Sequence, residues 1–122
     1  MLKLEEYLAG MSGSDRQQLD NRLIRALEHL LKMGCQQIPE AVRERNARGW
    51  LDTIDEQRRR LLRLLRRHGS LKPHLRNMDL GEAHREALKA VHVEWPSIDF
   101  PRSCPFTLEE IVGDAVMQEL RK

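Results

Sequence analysis

Leucines recur with the pitch of an α-helix along most of this chain. Leu4, Leu8 and Met11 form one stripe, and Leu19, Leu23, Leu27, Leu30 and Leu31 form another, at spacings of three, four and seven. The pattern predicts one long helix to about Met33, kinked or interrupted at Gly10-Met11-Ser12-Gly13-Ser14. Each glycine inside a helix costs about 1 kcal/mol relative to alanine, and Ser14 with Gln17 offers a capping box for a restart. Gly34 is the expected stop, and Pro39 opposes continuation. Residues 35–46 then read as a connector with one helical turn around residues 41–45.

The clearest helix is predicted from Ala47 or Trp50 through His68. Trp50, Ile54, Leu61, Leu64 and Leu65 fall on one face, and the other arc is almost wholly charged. Burying five such side chains contributes on the order of 10 kcal/mol before chain entropy is subtracted, so this stripe must face a partner. Gly69 occupies the expected position just past the helix. Residues 70–78 read as a short helix or turn, capped by Ser70, with Pro73 in its first turn. A further helix is expected from Leu80 to Glu94, with Leu80, Ala83, Ala87, Val91 and Trp95 aligned and Pro96 ending it. Pro96, Pro101 and Pro105 make the next stretch extended. Thr107 with Glu110 forms a capping box for a last short helix from Leu108, which Gly113 breaks before a further turn over residues 115–120.

Composition supports this outline. Apolar residues are 40% and charged residues 33%, while aromatics are only 4%, a balance suited to helices around one leucine core rather than to a sheet. The expected architecture is all-α: an antiparallel helical bundle with a proline-rich C-terminal segment and a short final helix, 1–122 forming one domain. Residues 1–10 carry Glu5 and Glu6 and lack a secretory pattern, and no apolar run reaches the length of a membrane span. Cys35 and Cys104 are far apart without CxxC spacing, so both are expected as free thiols in a reducing, cytoplasmic setting.

Charge is distributed unevenly. The chain's net charge is only +2, yet residues 43–76 hold eleven Arg/Lys against four Asp/Glu, and residues 77–122 hold five against nine. A basic middle followed by an acidic tail implies either an anionic partner or complementarity within the fold.

The strings Glu28-His29-Leu30-Leu31-Lys32, Gly49-Trp50-Leu51-Asp52-Thr53-Ile54-Asp55-Glu56-Gln57-Arg58, Gly69-Ser70-Leu71, and Phe100-Pro101 with Cys104-Pro105-Phe106-Thr107-Leu108 occur in that order. In these strings the chain resembles the bacterial helical proteins grouped as domain of unknown function family 29. The resemblance covers most of the chain. Family members usually begin with a further helix carrying Tyr, Asp and Trp, so the chain is expected to start at their second segment. Met33 and Phe106 stand where the family usually has tryptophan, and both remain apolar. The resemblance implies a helical bundle and bacterial occurrence, with no catalytic residues to transfer.

Two constellations merit weighing. Arg59, Arg60, Arg63, Arg66 and Arg67 could contact an anion or a nucleic-acid backbone, since each neutralised phosphate releases counterions. Against that, Asp55 with Arg59 and Glu56 with Arg60 are helical i,i+4 pairs, and no aromatic is interleaved for stacking, so a solvated face is the favoured reading. His29 and Lys32 with Gln57 and Arg58 would form a polar pocket if the two long helices pack antiparallel, although a register-fixing network explains them more simply. His84 and His92 lie two turns apart and no HExxH, CxxC, P-loop or GxSxG string is present, so no metal, no cofactor and no catalytic group is expected. An apolar face left without the family's opening helix predicts self-association. The favoured function is therefore a non-enzymatic helical interaction module that forms homo-oligomers or docks another protein, away from membranes, with nucleic-acid binding by the basic helix 57–67 as the alternative.

Overall fold

The computed structural model describes the backbone of residues 2–122 and the side chains of residues 14–122. Its helices are α1 Leu2–Gly34, α2 Glu40–Arg67, α3 Lys72–Arg76, α4 Leu80–Glu94, α5 Leu108–Val112 and α6 Asp114–Arg121. A 3-10 turn at Gly69–Leu71 precedes α3, and no strand occurs among the described residues. The all-α expectation holds.

Helix α1 is continuous across residues 10–14, so the anticipated interruption does not end it. The Leu4, Leu8 and Met11 stripe lies outside the described side chains. Helix α2 begins at Glu40, well before the expected Ala47 or Trp50. The backbone N–H groups of Val42 and Arg43 both donate to the Pro39 carbonyl, and Asn46 Nδ2 donates to the Val42 carbonyl at 2.8 Å. Of residues 36–46 only Ile38 and Val42 reach the core, which leaves too few apolar positions for a readable period. Two cap expectations also change. Leu71 rather than Ser70 precedes α3, with no side-chain cap, and Gly69 opens the 3-10 turn without a positive φ.

Helices α1 and α2 run antiparallel. Lys32 Nζ sits 5.1 Å from the Trp50 ring centroid at one end, and His68 Nε2 lies 3.8 Å from Asp15 Oδ2 at the other. Helix α4 returns parallel to α1, its end meeting the end of α1 where Lys32 Nζ lies 3.1 Å from Glu94 Oε2. Helix α1 therefore contacts α2 on one flank and α4 on another. Its leucine stripe, with Leu19, Leu23, Leu27 and Leu31 all buried, meets Leu61 and Leu65 of α2 and the small residues Ala83 and Ala87 of α4 in one continuous core. Alanines at that seam let the backbones approach closely, while each buried leucine contributes about 1.5–3 kcal/mol. Leu64, expected in the core stripe, is only partly buried.

The proline-rich stretch is pinned back on the bundle. Gln37 and Asp99 exchange two hydrogen bonds, of 3.2 and 3.0 Å, and His84 Nε2 donates to the Pro101 carbonyl at 2.7 Å. Phe100 is buried, edge-on to His92 with centroids 5.8 Å apart. The capping box at Thr107 forms as expected. Gly113, at φ +86°, turns the chain into α6, which lays Val116 and Leu120 into the core. Among the described residues the large apolar side chains left exposed are Leu51 and Val93, at 47% and 86%.

Candidate functional site

Much of the arginine excess in the middle of the chain is spent inside the fold. Arg58 Nε donates to the Ile111 carbonyl at 3.0 Å and its terminal nitrogen to the Glu110 carbonyl at 2.6 Å. These carbonyls belong to the last turn of α5, where the helix supplies no partner of its own and a cation suits the dipole. Arg76 caps α6 in the same way, donating to the Leu120 carbonyl. Arg66 reaches Glu119, a carboxylate only 9% exposed, at 3.4 Å. The basic middle and the acidic tail are in this respect partners of one another.

His29 and Lys32 gather elsewhere. Lys32 is buried, bonded to Glu94 and stacked over Trp50, while His29 Nδ1 donates to the Arg25 carbonyl at 2.8 Å. Burial lowers the His29 pKa from its usual 6.5, opposed by its backbone hydrogen bond, and Lys32 and Arg25 push the same way as burial. Burial likewise raises the Glu28 carboxyl above its usual 4.5, against the pull of Arg25 and Lys32. Gln57 is buried two helical turns along α2 from Trp50, with its Oε1 atom lacking a hydrogen bond within the protein, and Arg58 turns to α5. The structure thus brings His29 and Lys32 together with Glu94 and Trp50, and sends Arg58 to the tail.

The remaining arginines form a surface. Glu56 bonds Arg59 at 2.8 Å and Arg60 at 2.9 Å, and lies 3.8 Å from Arg63. The hydrogen bonds from Arg60 and Arg59 lower the Glu56 carboxyl to about 2. Asp55 approaches Arg58 rather than Arg59, at 4.0 Å. On the flank facing α1, Arg60, Arg63, Leu64 and Arg67 meet Gln18 and Arg22 around an open groove of about 200 Å³. Among the described residues, no carboxylate lies within ion-pair distance of Arg22 or Arg67.

A second, larger groove of about 690 Å³ opens on another flank of α1, between it and the segment from Ser70 to Glu86. Asp20, Asp79, Glu82 and Glu86 line it, together with Arg16 and His74. His74 Nε2 lies 2.8 Å from Asp20 Oδ1, and Asp79 caps α4 by accepting the Glu82 N–H at 3.2 Å. Asp20 and Arg22 are two residues apart, about 200° around the helix, so the two grooves face different ways.

Gln18 and Arg22 were not evident as site residues, yet their i,i+4 spacing beside the leucine stripe is a signal available in sequence. The carboxylate groove joins two segments of the chain separated by more than forty residues and had no local signal. Among the described residues no cluster of three or more His, Cys, Asp or Glu is placed to hold a metal, and Cys35 and Cys104 are free. Among the described residues no helix is long and apolar enough to cross a membrane.

Fold and surface together define a charged helical bundle with oppositely charged grooves on two flanks of its first helix. The chain belongs to the family described as domain of unknown function DUF29, whose model matches residues 1–116. No curated protein and no solved structure matches the chain.

Proposed function

We propose that this protein is a non-enzymatic interaction module that assembles with copies of itself, the arginine-rich flank of α2 in one copy docking against the carboxylate groove of the next. The observation that carries this reading is the presence on one chain of both complementary faces: exposed Arg59, Arg63, Arg66 and Arg67 on α2, and Asp20, Asp79, Glu82 and Glu86 around the larger groove. Long exposed guanidinium side chains can reach into a wide groove and pair with carboxylates there. Such a contact joins unlike surfaces, so association has no built-in stop at the dimer unless the rotation closes a ring.

Sedimentation at tens of micromolar provides the test. The expected result is concentration-dependent oligomers that dissociate as salt shortens the screening length to a few ångströms. R63E/R67E and E82K/E86K should each be monomeric alone, and mixing the two should restore association. Monomer throughout at low salt would refute the reading.

A second reading, nucleic-acid binding through Arg59, Arg60, Arg63, Arg66 and Arg67, is favoured by the solvent exposure of most of these guanidiniums. It requires binding to duplex or single strands at low ionic strength, with affinity falling linearly on a log-log salt plot. Failure to bind at low ionic strength removes it.

A further inference from the structure

The α1–α2 groove concentrates charge of one sign in a small space. Four guanidiniums, Arg22, Arg60, Arg63 and Arg67, converge there with the Gln18 amide and Leu64. Glu56 holds Arg60 through Nε alone, so the outer nitrogens of that guanidinium remain open, and it stands 3.8 Å from Arg63. Glu56, itself shared with Arg59, pairs with Arg60 and stands near Arg63, while no carboxylate among the described residues lies within ion-pair distance of Arg22 or Arg67. Four guanidiniums lining one small groove repel one another, at a cost in free energy that a bound anion returns.

Geometry selects the anion. A carboxylate has two oxygens and one charge, and a single guanidinium fork satisfies it. Several forks converging from two helices suit a group that offers three or more oxygens and two or more charges at one point. A nucleic-acid backbone spreads its charges along a line that continues beyond the roughly 10 Å of α2 between Arg60 and Arg67. We propose that this groove is a binding site for a phosphomonoester or diphosphate group, with Arg22 and Arg67 clamping it from opposite helices and Arg60 and Arg63 adding further contacts along α2. Arg63 and Arg67 also belong to the face proposed above for assembly, so anion binding and association compete, but the site does not require association.

The test uses inorganic phosphate and pyrophosphate against chloride at matched ionic strength, followed by calorimetric titration and thermal melting. Pyrophosphate at about a hundred times its Kd should raise the melting midpoint by several degrees, where chloride does not. R22A and R67A should each weaken pyrophosphate binding by about tenfold or more, with unchanged helical circular dichroism, while R102A in the exposed tail should bind as the parent does. In E82K/E86K, where self-association is removed, pyrophosphate binding should persist, which separates this site from the assembly reading. Two short single strands, with and without a 5′-phosphate, complete the set: dependence on the terminal phosphate supports the site. Equal stabilisation by chloride, unchanged binding in both R22A and R67A, or tight strand binding indifferent to the terminal phosphate would overturn it.

Discussion

Replacing Arg58 with methionine removes the clamp that holds the last two helices on the bundle. The parent side chain is 30% exposed and makes two hydrogen bonds, to the Ile111 and Glu110 carbonyls. A hydrogen bond from a charged donor contributes about 1.5–3 kcal/mol when sheltered. The partly buried bond to Ile111 belongs at the lower end of that range, and the exposed bond to Glu110 is weaker still. The contact with Asp55 at 4.0 Å adds little, because exposed ion pairs are worth about 0–1 kcal/mol. Methionine keeps most of the aliphatic stem, so the loss isolates the guanidinium, and the expected cost is about 2–3 kcal/mol. Urea denaturation followed by circular dichroism measures it, and native-state hydrogen exchange locates it. Amides from Ile111 to Leu120 should exchange faster by a larger factor than those of Leu19 to Leu31, since α5 and α6 lose their anchor while the α1 core does not. Arg58→Lys should recover less than half of the loss, because an ammonium cannot present a planar fork to two adjacent carbonyls. Stability of R58M within about 0.5 kcal/mol of the parent, with unchanged exchange in α5 and α6, would refute the clamp.

Gly113→Ala should destabilise by about 1–3 kcal/mol, because its φ of +86° disfavours a side chain and an added Cβ would lie 3.1 Å from Arg58 Cδ; a melting curve matching the parent would contradict this. Gly49→Ala should instead stabilise by about 0.5–1 kcal/mol, since the residue sits inside α2 with nothing within 4 Å of an added Cβ, and a lower melting midpoint would disprove it. The lowered pKa of His29 makes stability fall as pH drops below 6.5, where the unfolded chain takes up a proton that the folded one resists. His29→Gln should flatten that slope relative to the parent, and an unchanged difference between pH 7.5 and 5.5 would exclude His29 as its source. Glu56, held at about 2, contributes stability that is present above its ordinary 4.5 and is lost as pH falls through about 2, so Glu56→Gln should lessen the acid sensitivity in that window.

The local elements were legible because their causes are local. The helical period of Leu19, Leu23 and Leu27, the proline after α4, and the Thr107 capping box each act within a few residues, and the structure keeps all three. The start of α2 was misread because residues 40–49 bury little, so polarity there imitated a connector. The run of arginines on α2 was equally visible, but its meaning was not. Sequence alone gives Arg58, Arg59, Arg60, Arg63, Arg66 and Arg67 one chemistry. Tertiary packing divides them, turning Arg58 onto α5 and Arg66 onto Glu119, and joining Arg60, Arg63 and Arg67 to Arg22. The physical reason is range: helix pitch and capping are settled by neighbours in the chain, whereas the environment of a long charged side chain is settled by whichever distant segment folds against it.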